Sequence, residues 1–108
     1  MTRDEAQREI GVTADLILGG SLSYIEGARK IAALRFTAGL DDDPDVLPFV
    51  CIDSETDALP FGPIRELWNP DSLAKLQAEI DRAEIWAREF GHSHCANLLT
   101  RFLDKISN

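Results

Sequence analysis

"NPDSLAKLQAEIDRAEIWAREFGHSHCANLLTRF", residues 69–102, is the stretch whose reading decides the fold. Asn69 reads as an N-cap, Pro70 takes the first helical position, where no intrahelical bond is lost, and Asp71 suits the positive end of the helix dipole. Leu73, Leu76, Ile80, Ala83, Ala87 and Phe90 then recur three and four apart and form one apolar seam. Beyond Phe90 the apolar positions are Cys95, Leu98, Leu99, Phe102 and Ile106, and a period of 3.6 carries the stripe across Gly91. A single helix through to 106 would be roughly 54 Å long at 1.5 Å per residue. That is long for a domain of 108 residues, so the expectation is two helices, about 71–90 and 93–106, with a break near Gly91 and His92.

The front half is also helical. Thr2 and Glu5 have the spacing of a capping box, and a helix over about 3–18 turns Ile10, Ala14, Ile17 and Leu18 inward before Gly19 and Gly20 end it. A second helix spans about 22–37, with Ser21 as N-cap and Gly39 closing its far end. Its stripe is Ile25, Ala28, Ala32 and Phe36, widened by Ile31 and Leu34, and Glu26 and Lys30 are spaced for an external pair. Gly27 inside it is unfavourable unless a neighbouring helix approaches closely.

Between these halves lies a crossover, about 40–69, with no helical period; "FVCI" at Phe49–Ile52 reads as a short strand or buried extended stretch. The expected fold is all-α: one domain, residues 1–108, built as a three- or four-helix antiparallel bundle with a long, acidic, proline-containing central crossover.

Charge is concentrated in that crossover. The chain carries −8 overall, and its two ends are balanced. Residues 41–71 hold nine acids against Arg65 alone, together with all five prolines. Such a field repels phosphates and anionic lipid, so nucleic acid and membrane are excluded as partners, whereas a basic protein is steered toward it. "MTRDEAQREI" has no apolar leader, and "LIL" at Leu16–Leu18 is too short to span a bilayer. Two distant cysteines, Cys51 and Cys95, form no paired zinc motif, and a reduced, cytoplasmic protein is the expectation.

Asp53, Glu55 and Asp57 stand at relative positions 1, 3 and 5, as in a calcium loop, but Ala58 and Ile64 replace the glycine and glutamate that loop needs at 6 and 12. Acid–base use of two of them requires a cleft that separates their pKa values. The plainer readings are turn chemistry and ion pairs to Arg65, Arg29 or Arg35. In "HSHC", His92 and Cys95 share a helical face and His94 points elsewhere, which fits a buried cysteine beside a polar joint better than a zinc site. Trp68 and Trp86 read as mostly buried structural aromatics. No catalytic residue, metal ligand or cofactor motif is assigned.

The order of a helix bearing "YIEGARKIAALR" (24–35), the acidic "DDDPDVLPFVCIDSETDALPFGPIRELW" (41–68) and a long amphipathic back half resembles small helical bacterial proteins of poorly defined function. In size and layout it is similar, over nearly the whole chain, to the immunity proteins of contact-dependent and polymorphic toxin systems. That resemblance implies neutralisation of a cognate toxin, frequently a basic nuclease, by an acidic surface, and it carries over no residue set.

The functional expectation is a non-enzymatic protein-binding module of the immunity or antitoxin kind. Its docking residues are Asp41, Asp42, Asp43, Asp45, Asp53, Glu55 and Asp57, with Phe61 and Trp68 as apolar anchors and a basic toxin domain as partner. The alternatives are a small metal-dependent or acid–base enzyme using Asp53, Glu55 and Asp57, and an adaptor or homodimer that pairs through an exposed apolar stripe.

Overall fold

The structure, a computed structural model, describes residues 1–59 and 69–103. Among them are four α-helices: α1 (Arg3–Leu18), α2 (Tyr24–Leu34), α3 (Leu47–Thr56) and α4 (Pro70–Phe102). They pack compactly, α1 against α4 and α2 against α3 most extensively, with no strands among the described residues.

α1 begins as its sequence dictates. Thr2 Oγ1 accepts from the Glu5 amide at 3.1 Å while Glu5 Oε1 accepts from the Thr2 amide at 3.0 Å, so two orphan donors are satisfied reciprocally. Ala6, Ile10, Ala14 and Ile17 form its buried stripe, and Leu18 packs at its edge. The chain turns through Gly20, whose φ of 82° lies in the left-handed region.

α2 starts two residues later than expected. Ser23, rather than Ser21, is the N-cap, with its Oγ accepting from the Glu26 amide at 3.0 Å. The next free amides, Tyr24 and Ile25, donate to the two carboxylate oxygens of Glu84 on α4 at 2.8 and 3.2 Å. A carboxylate at this positive helix end is favourable, and it ties α2 to α4. α2 also ends sooner, at Leu34, so Phe36 falls in the following turn and is 67% exposed instead of inward. Lys30 pairs with Glu9 of α1 at 2.8 Å and not with Glu26. Gly27 does mark a close helix approach: a Cβ there would sit 2.2 Å from Cδ1 of Ile17.

α3 lies within the segment read as an irregular crossover. It has no side-chain N-cap and carries Pro48 in its first turn. Leu47 and, after Pro48, the unbroken Phe49, Val50, Cys51 and Ile52 hide any helical period, and only Phe49, Ile52 and Thr56 are buried. Thr56 serves as an inward position because its hydroxyl donates to the Ile52 carbonyl one turn back, at 2.6 Å. Residues 60–68 of the expected crossover lie outside the described residues.

α4 is one helix of 33 residues, without the break expected near Gly91. At roughly 1.5 Å per residue this gives about 50 Å, matching the molecule's 49 Å long dimension. Gly91 is a contact point and not a joint. Its missing Cβ would lie 3.3 Å from both Phe49 and Ile52, so α3 seats on α4 there. Phe90, expected in the seam, is 41% exposed. Residues 104–106 of the expected last helix lie outside the described residues.

The contacts give the directions. Glu9 pairs with Lys30 and Gln7 with the Ala38 carbonyl, Gly11 meets Phe102–Leu103 while Ala14 meets Cys95, and Asp45 meets Arg101 while Thr56 lies by Ala83. α1 is thus antiparallel to α2 and α4, and α3 is antiparallel to α4. The core between them is Ile10, Ile17, Ile25, Ile31, Val46, Phe49, Ile52, Cys95 and Leu98, with alanines at the close crossings.

Candidate functional site

Helicity of α3 redistributes the acids that stand out in the sequence. Residues two apart on a helix point to opposite sides, so Glu55 diverges from Asp53 and Asp57 and the three acids do not form one cluster. Asp53 lies 3.9 Å from Arg29 Nε. Glu55 is exposed, and Asp57 is the exposed residue that caps the helix. Arg29 also donates to the Thr56 and Leu59 carbonyls, placing a cation at the negative end of α3. Among the described residues no group of three or more His, Cys, Asp or Glu side chains is placed to hold a metal ion.

The "DDDPD" run divides in the same way. Asp43 receives two hydrogen bonds from Arg101 of α4, at 2.8 and 2.7 Å, and its Oδ1 accepts from the Asp45 amide at 2.9 Å. Asp45 accepts from Arg101 at 2.9 Å, from Asn97 at 3.0 Å, and lies 3.0 Å from His94 Nδ1. The Arg101 hydrogen bonds hold the Asp43 carboxyl below its ordinary pKa. Burial works to raise that of Asp45, but hydrogen bonds from Asn97, His94 and Arg101 outweigh it and the net direction is down. Asp41 and Asp42 face solvent.

Asp41, Asp42, Glu55 and Asp57 make no side-chain hydrogen bond or ion pair among the described residues, and they bracket α3 at its two ends. Between them runs an outer stripe of exposed Leu47, Cys51 and Glu55, spaced four apart on one side of the helix. Phe61 and Trp68, the expected anchors, lie outside the described residues; Leu59 is half-buried against the core.

The residues of "HSHC" are dispersed as well, and Cys95 is buried as expected. Its thiol faces the Ala14 carbonyl at 3.4 Å; burial pushes its pKa up to about 12. His92 Nδ1 lies 3.0 Å from the Tyr24 hydroxyl, whereas His94 turns to Asp45. His92, His94 and Cys95 therefore serve three different neighbours.

A second feature escaped the sequence reading. A groove of about 330 Å³ opens between the end of α3 and α4, lined by Glu55, Thr56, Glu79, Arg82, Ala83 and Trp86. Trp86, read as mostly buried, is 37% exposed and stacks on Phe90, with centroids 5.5 Å apart and planes at 13°. The spacing of Trp86 and Phe90, four apart, is the one sequence signal that points to this ledge. No helix among the described residues is long and apolar enough to cross a membrane. Comparison with protein-family models, curated proteins and solved structures finds no match to this chain.

Proposed function

We propose that this protein is a non-enzymatic binding module that docks a basic protein on the outer face of α3 and its two flanking acidic turns. One observation carries the reading: within the segment that holds the chain's excess negative charge, Asp41, Asp42, Glu55 and Asp57 remain exposed and unpaired among the described residues, on either side of a stripe with exposed Leu47 and Cys51. Acids that only stabilise the fold find partners, as Asp43, Asp45 and Asp53 do. Apolar contact ringed by charge is the usual plan of a protein interface, and the charge accelerates encounter. Neutralisation of a basic toxin domain is the specific form of this role that the immunity-protein resemblance supplies.

The test is capture of the product of the adjacent reading frame by the immobilised chain, beside the variant Asp41→Asn/Asp42→Asn/Asp57→Asn. The reading requires retention that falls steeply with salt and is lost in the variant. Equal, salt-insensitive retention by both chains rejects it.

A further inference from the structure

Resting on the reading that the partner is basic, we propose that the groove between α3 and α4 seats one guanidinium or ammonium side chain of that partner, against the ring of Trp86 and between the carboxylates of Glu55 and Glu79. The groove's volume of about 330 Å³ is at the lower end of the roughly 300–1,000 Å³ range of ligand sites, ample for one long side chain. Its mainly apolar lining brings Trp86 together with two acidic residues, Glu55 and Glu79, and both kinds of group attract a cation: the ring through its negative face, the acids through charge. Trp86 is held by its stack on Phe90 yet keeps 37% of its surface exposed, so the ring is oriented before anything arrives.

Charge selects the occupant. Glu55 and Glu79 outnumber Arg82, and none of the three makes a hydrogen bond or ion pair among the described residues. An acidic side chain is repelled. A neutral apolar one strips water from carboxylates and leaves them unpaired. Arg82 is the internal competitor for the same carboxylates, so its removal has the opposite effect to removal of either glutamate.

The test is NMR of the full chain titrated with acetyl-Gly-Arg-Gly-amide and, as a neutral control, acetyl-Gly-Gln-Gly-amide, with the two indole signals assigned through Trp86→Phe. Saturable shifts at the Trp86 indole and at the Glu55, Thr56 and Ala83 amides are expected with the arginine peptide only. Glu55→Gln and Glu79→Gln each weaken binding about two- to fivefold, and Arg82→Gln tightens it by a similar factor. All three positions are exposed, so the fold is retained and is checked by circular dichroism. Equal shifts with both peptides, or none at the groove up to the solubility limit, overturn the proposal. If the groove ignores arginine while the Asp41, Asp42 and Asp57 substitutions still abolish partner capture, the seat is wrong and the binding role stands. If the groove takes arginine while those substitutions leave capture unchanged, the seat stands and the docking face is wrong.

Discussion

Arg101, in the last turn of α4, holds Asp43 through two parallel hydrogen bonds, from Nη1 to Oδ1 at 2.8 Å and from Nη2 to Oδ2 at 2.7 Å. This fork ties the turn before α3 to the far end of the longest helix. It also removes two aspartates, Asp43 and Asp45, from the free acidic surface, because the same guanidinium reaches Asp45.

Breaking the fork destabilises the fold. Arg101→Ala leaves two half-buried carboxylates facing each other and is expected to lower stability by about 1–3 kcal/mol. Asp43→Asn has a similar effect at neutral pH, with a distinctive acid dependence. The folded-state pKa of Asp43 is depressed from the ordinary 3.8, so its contribution is present above that value and lost as pH falls through the folded-state pKa. Urea unfolding of both chains should show a gap at pH 7 that begins to narrow below 3.8. A pH-independent gap contradicts the pairing.

Gly27 is required by Ile17. Gly27→Ala places a methyl 2.2 Å from Ile17 Cδ1 and 2.5 Å from Cγ1, so the Ile17 side chain must leave its position or α1 and α2 must move apart. The expected loss is about 1–3 kcal/mol. Shortening the opposing side chain removes the clash, so Gly27→Ala should be less harmful in an Ile17→Ala background than in the native chain. Thermal unfolding of the four chains of this cycle measures the coupling, and additive losses refute it.

Glu84 closes the start of α2 from another helix. Glu84→Gln keeps the shape but removes the charge facing the Tyr24 and Ile25 amides, at an expected loss of about 0.5–1.5 kcal/mol. Amide hydrogen exchange should quicken first at Tyr24 and Ile25. Unchanged exchange there shows that the cap is not formed in solution.

The two cysteines differ in reactivity. Cys51 is exposed on α3, and Cys95 is buried with its thiol pKa pushed up to about 12. Thiolate is the reactive form. An aromatic disulfide reagent at pH 8 should therefore modify one thiol promptly and the second only on unfolding. Prompt modification of both contradicts the packing of Cys95 against α1.

What was legible in the sequence follows from what is local. α1 could be read to the residue because its cap, its stripe and its terminal glycines all lie within twenty positions. The start of α4 was equally plain from Asn69, Pro70 and Asp71. α3 was hidden because its inward face is completed by Thr56, a polar residue satisfied by its own helix, and its apolar residues surround the axis. The expected break near Gly91 rests on the length of a single helix against so small a domain; the glycine is there for Phe49 and Ile52, some forty positions earlier. The acids were read as one group, but which are free depends on Arg29 for Asp53 and on Arg101, 58 residues from Asp43. Periodicity cannot report such distant partners.

The central claim is that the outer face of α3 and its flanking turns form the docking surface. The most direct measurement is amide hydrogen exchange of the chain alone and in complex with its captured basic partner. The account predicts slowed exchange at residues 41–42 and 47–57, with little change on the opposite side of α4 around exposed Ile85. Protection confined to the Ile85 side, with 41–57 exchanging as in the free chain, would contradict it.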